Sequence, residues 1–342
     1  MRRKPHPLRR RLAWLLLFPL ALVAAYVAGS GFYVHLHEDA TPRSAAPAGG
    51  RFFDIQGTEV FAQDFGPAEG RPLLLVHGTA AWSGTWFSLV PALRNAGWRV
   101  IAVDLPPFGY SDKRIDRDFS RMAQARRLQG VLDGYGIAHA VVLGHSFGGG
   151  PALEFALRDP DRVERMVLVD AALGLQAPPP DASSIVCRAL AHPWLREPLF
   201  AASANNPLWS RKLLQGFVAR KEAVTPERLA EYRRPSSLHG ANAALAAWAD
   251  RFACVADSGM SMDEDAVRGL QPPLDLLWGA DDTITPLAQA RHLQSLLPQS
   301  RLRVIPGVGH IPHIEDPARF EALLATTLAQ PANAAELNAG KR

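Results

Sequence analysis

After Arg51 the chain is punctuated by short runs dense in Val, Leu and Ile: RPLLLVHG (71–78), WRVIAVDL (98–105), HAVVLGHS (139–146), RVERMVLVDAA (162–172), PLDLLWGA (273–280) and RLRVIP (301–306). Their apolar residues are consecutive rather than alternating, which is the pattern of strands covered on both faces. Two further runs, RFFDIQ and TEVFAQDF, flank Gly57 and read as a hairpin. Segments 119–135, 147–158 and 286–297 carry helical spacing between the runs. Strand and helix in alternation predict an α/β fold: a mostly parallel eight-stranded sheet with helices on both faces. One interval, 172–271, holds no strong strand. It opens on APPPD (177–181), contains Trp194, Trp209 and Trp248, and is otherwise Ala- and Leu-rich. A structureless loop of that length is uncommon, so the interval reads as an inserted helical cap. The core is then 51–171 and 272–330, followed by a tail at 331–342.

The first fifty residues follow another pattern. Six basic residues lie in 1–11, and the run from Leu12 to Val34 has no charged group. As a helix that run reaches about 34 Å, enough for a hydrocarbon core of about 30 Å. The arginines should stay on the cytoplasmic side, so the rest of the chain is exported. The two readings of this segment are a retained membrane anchor and a cleaved signal sequence with AGS (28–30) as its exit. Residues 35–50, rich in Ala, Pro and Gly, read as a linker.

The net charge of +4 arises in the basic tail, which leaves a mildly acidic body, so no nucleic-acid surface is expected. Cys187 and Cys254 are the only cysteines; export permits a bond between them, and two buried thiols are the alternative. No Cys/His spacing fits a metal site.

Ser146 follows one strand run and opens a helix, with Gly144 and Gly148 on either side. A serine so placed sits on a tight strand-to-helix turn where its neighbours at −2 and +2 must be small. Its hydroxyl needs a base, and the base an orienting acid. Both occur later at strand ends: Asp281-Asp282 after LDLLWGA, and His310 in GVGHIPHIEDP. Asp281 and Asp170 compete with Asp282 for the acid, and His313 reads as structural. His77 and His145 are expected to hold loops around the site, and Asp104 the loop after its strand.

With these motifs, residues 51–328 resemble the α/β-hydrolase family, in LLLVHGTAAWSGTW, RVIAVDLPPFGYSD, VVLGHSFGGGPALEFA, LLWGADDTITP and GVGHIPHIEDP. Pro107 stands where relatives usually have glycine. The resemblance implies Ser146 as nucleophile, His310 as base, Asp282 as acid, and the backbone N–H groups of Thr79 and Phe147 as the oxyanion hole. It implies hydrolysis of a small-molecule or lipid-like ester without metal or organic cofactor. Carbon–carbon hydrolases with a serine triad are the nearest alternative; those usually carry asparagine where this chain has His145. A non-catalytic binding module is a third. The sequence leaves the oligomeric state open.

Overall fold

The computed structural model describes residues 7–175 and 178–330. The first six residues of the basic tail and the tail at 331–342 lie outside the described residues. Eight strands form one sheet: β1 (Gly50–Ile55), β2 (Thr58–Phe65), β3 (Arg71–Val76), β4 (Trp98–Asp104), β5 (Ala140–His145), β6 (Val163–Val169), β7 (Leu274–Gly279) and β8 (Arg301–Ile305). Their order is β1-β2-β4-β3-β5-β6-β7-β8. β2 is antiparallel to β1 and β4, and the remaining pairs are parallel. The β1–β2 turn uses Gln56 and Gly57 at φ 53 and 76, the left-handed pair that a two-residue hairpin loop needs.

The consecutive apolar runs are explained by the pleat. Leu73, Leu75, Val141, Leu143, Val167 and Val169 face one layer, packed on helices Val90–Asn95 and Pro317–Ala329. Leu74, Val76, Val142, Leu168 and Leu276 face the other, packed on Arg121–Gly134, Gly149–Arg158 and Leu287–Leu296. Successive side chains point to opposite faces, and both faces are covered.

Among the described residues six α-helices lie between β6 and β7: Ile185–Leu190, Pro193–Ala202, Pro207–Phe217, Pro226–Arg233, Ala241–Cys254 and Glu264–Arg268. Local chemistry starts them. Asn206 accepts from the N–H of Leu208, Thr225 from that of Arg228, and each is followed by proline at the first helical position. Cys187 and Cys254 are joined in a disulfide.

The N-terminal helix runs from Pro7 to His37, beyond both ends of the uncharged stretch. Leu17–His37 is long and apolar enough to cross a membrane. Leu17, Phe18, Leu20, Leu22 and Val23 are exposed; from Tyr26 onward one side of the helix docks on the cap, while Phe32 and Leu36 on the other stay exposed. Tyr26 Oη donates to the Ala202 carbonyl at 2.9 Å and accepts from Trp209 Nε1 at 2.7 Å; Asn206 Nδ2 donates to Ser30 Oγ at 3.1 Å. The segment read as a linker is docked too. The Glu38 carboxylate accepts from the N–H groups of Gly240 and Asn242, at the start of the helix Ala241–Cys254, at 3.0 and 2.6 Å. Ala40 pairs with Leu238. Backbone hydrogen bonds and one carboxylate do this fixing, so it leaves no apolar period in the sequence.

Candidate active site

Ser146 stands at the junction of β5 and the helix Gly149–Arg158 with φ +50, a left-handed conformation that costs a non-glycine residue energy and concentrates at functional turns. The turn has no room for larger neighbours. A Cβ on Gly148 would lie 2.4 Å from the His77 carbonyl oxygen, and one on Gly144 2.9 Å from that of Gly148. The Gly78 turn presses on the same serine, since a Cβ there would come 2.9 Å from Ser146 Cβ.

His310 follows β8, and Asp282 follows β7. Ser146 Oγ donates to His310 Nε2 at 2.8 Å, and His310 Nδ1 donates to Asp282 Oδ2 at 2.8 Å. The carboxylate fixes this tautomer, because it can only accept. Asp282 also accepts from the N–H groups of Ile284 and Thr285 and from Thr285 Oγ1. Burial raises its pKa, but these bonds and the imidazole outweigh that and hold it below the ordinary value.

The competitors separate cleanly. The Asp281 side chain is exposed. Asp170 is fully buried, also left-handed at φ 43, and accepts from the Gly279 N–H at 2.8 Å. Its carboxyl, that of Asp282 and the His310 ring offer atoms all within 4.8 Å of one another. Burial and the adjacent Asp282 charge push Asp170 well above the usual carboxylate range, which favours its neutral form beside Asp282. Asp282 holds the imidazole, and Asp170 backs it.

Thr79 lines the pocket beside Ser146, and Phe147 begins the first turn after it, where backbone N–H groups lack intrahelical partners. The pocket measures about 200 Å³ and is walled by Phe108, Leu213, Leu214, Phe217, Leu229 and Leu245. Pro107, joined to Pro106 by a cis peptide bond, lines it too.

A comparison of the chain with family models settles its kinship: the model of the alpha/beta hydrolase fold matches residues 71–317. The chain is an α/β-hydrolase. A 2-hydroxymuconate semialdehyde hydrolase of Pseudomonas sp. strain CF600 is 32% identical over 83% of this chain and 95% of its own length. Among solved structures, a meta-cleavage product hydrolase from Pseudomonas fluorescens IP01 superposes with a TM-score of 0.61 at 26% identity, covering 80% of this chain and 96% of that one. A thermophilic esterase from Thermogutta terrifontis superposes with a TM-score of 0.64 at 26% identity, covering 82% and 98%.

Three more histidines surround the site of this hydrolase, all buried. His77 Nδ1 donates to the Gly78 carbonyl at 2.7 Å, and its Nε2 accepts from the Leu105 N–H at 3.1 Å. His145 Nε2 lies 2.8 Å from the His310 carbonyl and donates to it. His313 Nε2 meets Thr85 Oγ1 at 2.9 Å, and Thr85 meets Tyr232 of the cap. Asp104 holds the Ser83 and Tyr110 N–H groups, and burial raises it to about 6. Burial lowers His77 to about 4 and His145 to about 3, and it also drives His313 far down. These three stay neutral in the fold but take a proton when unfolded, so the unfolded state gains on acidification below about pH 6.5. Each costs about 1.4 kcal/mol of stability per pH unit below that point until its folded pKa is reached. The Asp104 and Asp170 carboxyls, raised by burial, take up protons in the fold over the same range and offset part of this, so the test is differential: His145→Gln should retain more of its pH 7 urea midpoint at pH 5 than the wild type does.

Glu315 is the residue that motif reasoning passed over. It lies in the quoted stretch GVGHIPHIEDP, but its role depends on the cap. Its carboxylate accepts from Gly309 N (3.0 Å) and Ile311 N (3.3 Å), on either side of His310, and from Ala219 N (2.8 Å) and Arg220 N (3.0 Å) in the cap. His310 N in turn donates to the Phe217 carbonyl at 3.1 Å. One buried anion thus sews the base's loop to the insertion. Glu315→Ala strands four donors, and small displacements of the base are costly: kcat is expected to fall by about 10²-fold. Steady-state kinetics at matched folded fraction will measure it.

Proposed function

We propose that the chain is a serine hydrolase that cleaves carboxylic esters bearing an apolar group. The observation that carries this reading is the unbroken line Ser146–His310–Asp282, at 2.8 Å and 2.8 Å, on the floor of an apolar-walled pocket. His310 takes the Ser146 proton as Oγ attacks the ester carbonyl. The N–H groups of Thr79 and Phe147 receive the developing oxyanion, a contribution typically worth about 10²–10³ in rate per donor. Asp282 stabilises the imidazolium and its tautomer. His310 then protonates the departing alcohol, and water attacks the acyl-enzyme by the same route to release the acid and restore Ser146.

A second reading, hydrolysis of a carbon–carbon bond in a diketone, is supported by the 32% identity to the semialdehyde hydrolase over 83% of this chain. His145 before the nucleophile, rather than asparagine, favours the ester. The two separate in one assay: p-nitrophenyl esters of two to twelve carbons against 2-hydroxymuconate semialdehyde. The ester reading predicts a higher kcat/KM for at least one ester, and the opposite ranking overturns it.

We infer further that the N-terminal helix is retained as an anchor with the hydrolase exported. The bonds from Tyr26 and Ser30 to the cap support this, because removal of the helix would strip Ala202 and Asn206 of partners. Ala204 and Asn205, between these two, line the pocket, so a lipid-like ester in the bilayer would meet its mouth directly. The full chain should stay in the membrane pellet after carbonate extraction; recovery of a shortened soluble form overturns the anchor.

A further inference from the structure

The pocket above Ser146 is walled by apolar side chains, yet Lys113 and Arg233 also line it, and no Asp or Glu does. The Lys113 ammonium donates to the Pro107 and Gly109 carbonyls at 2.8 and 2.6 Å, so two of its three donors are committed to holding that loop. Buried Asp104 lies close enough to act on its charge. Arg233 differs. It ends the helix Pro226–Arg233, and among the described residues its guanidinium has one partner, Ser210 Oγ at 3.2 Å. A guanidinium carries five N–H donors in a planar fork and never gives up its charge, so four donors are left without a protein partner among the described residues. Arg233 is partly exposed at the pocket, so water meets these donors in the free protein, and an anion on a ligand that displaces this water gains charge-assisted bonds. Asn205 lines the same pocket and makes no side-chain hydrogen bond among the described residues.

We propose that Arg233, flanked by Ser210 and Asn205, is a subsite for an anionic group, carboxylate or phosphate, on the substrate that Ser146 attacks. This rests on Ser146 being the nucleophile and deepens the reading above: the substrate is amphipathic, with an apolar chain against the leucines and a charged group on the fork. Lys113 offers no fork of its own, and burial lowers it to about 7.

The experiment compares matched pairs on the full chain. For carboxylate, the pair is p-nitrophenyl hydrogen adipate and p-nitrophenyl hexanoate; for phosphate, dihexanoyl phosphatidic acid and dihexanoylglycerol. The wild type is expected to prefer the anionic member of one pair, which names the source of the charge. Arg233→Gln should lower that preference, read as a ratio of kcat/KM values, by about ten-fold or more, and Arg233→Lys should restore part of it. An Arg233→Gln protein that slows both members of each pair equally overturns the subsite, as does a wild type that prefers the neutral member of both. Binding separates this from the catalytic reading. Calorimetry on Ser146→Ala with monomethyl adipate and hexyl phosphate should show binding of one, lost in Ser146→Ala/Arg233→Gln. That result upholds the subsite even where esters are not turned over. Ester turnover with no binding of either anion keeps the hydrolase and removes the subsite. Thermal melts of each variant exclude unfolding as the cause.

Discussion

Ser146→Ala is expected to lower kcat by about 10⁶-fold, to the level left by the oxyanion donors and binding alone. Among the described residues the hydroxyl makes one hydrogen bond, to His310, and alanine fits the same turn, so the melting temperature should shift little. Loss of rate with retention of fold is what distinguishes a nucleophile from a packing residue. A fluorophosphonate probe gives an independent readout: it should label the wild type on Ser146 and leave the variant unlabelled. Undiminished hydrolysis by Ser146→Ala would falsify the covalent mechanism outright.

The second large effect belongs to the acid. Asp282→Asn is expected to cost about 10⁴-fold in kcat. The carboxylate oxygen 2.8 Å from His310 Nδ1 accepts a hydrogen bond; an amide nitrogen there would donate instead and place the imidazole proton on Nε2. That nitrogen could then no longer accept from Ser146. Asp170→Asn is the control. Burial beside Asp282 favours the neutral form of Asp170, and an amide is neutral too, so a loss of less than about ten-fold is expected. Equal losses in the two variants would mean that the pair shares the role, and the assignment of the acid to Asp282 would fall. The depressed Asp282 pKa also sets a sign for stability. Its contribution is complete above the ordinary carboxylate value and is lost as pH falls through the depressed one, so Asp282→Asn should be the less acid-sensitive protein.

The sheet was legible because its chemistry is local. Six apolar runs with both faces covered leave little choice of architecture, and the Gln56-Gly57 turn announces its hairpin. Ser146, Asp282 and His310 were legible because each sits at a strand end beside glycine or in a short polar cluster, where backbone geometry restricts residue type. Glu315 was not, since a carboxylate on one helical turn says nothing about amides nearly a hundred residues away. Arg233 was hidden for a related reason: whether a cap arginine faces water or the pocket depends on how the helices stack. The docking of Glu38 and Ala40 on the cap was also invisible, because it is written in one carboxylate and in main-chain atoms.

The bond between Cys187 and Cys254 has a mechanical consequence. It links the helices Ile185–Leu190 and Ala241–Cys254 of the insertion, whose two ends run back into neighbouring strands β6 and β7. These two helices are therefore held together, and Pro193–Ala202, Pro207–Phe217 and Pro226–Arg233 lie in the loop that the bond closes. A reducing environment would cut the bond and release a 67-residue loop, forfeiting about 4 kcal/mol of stability.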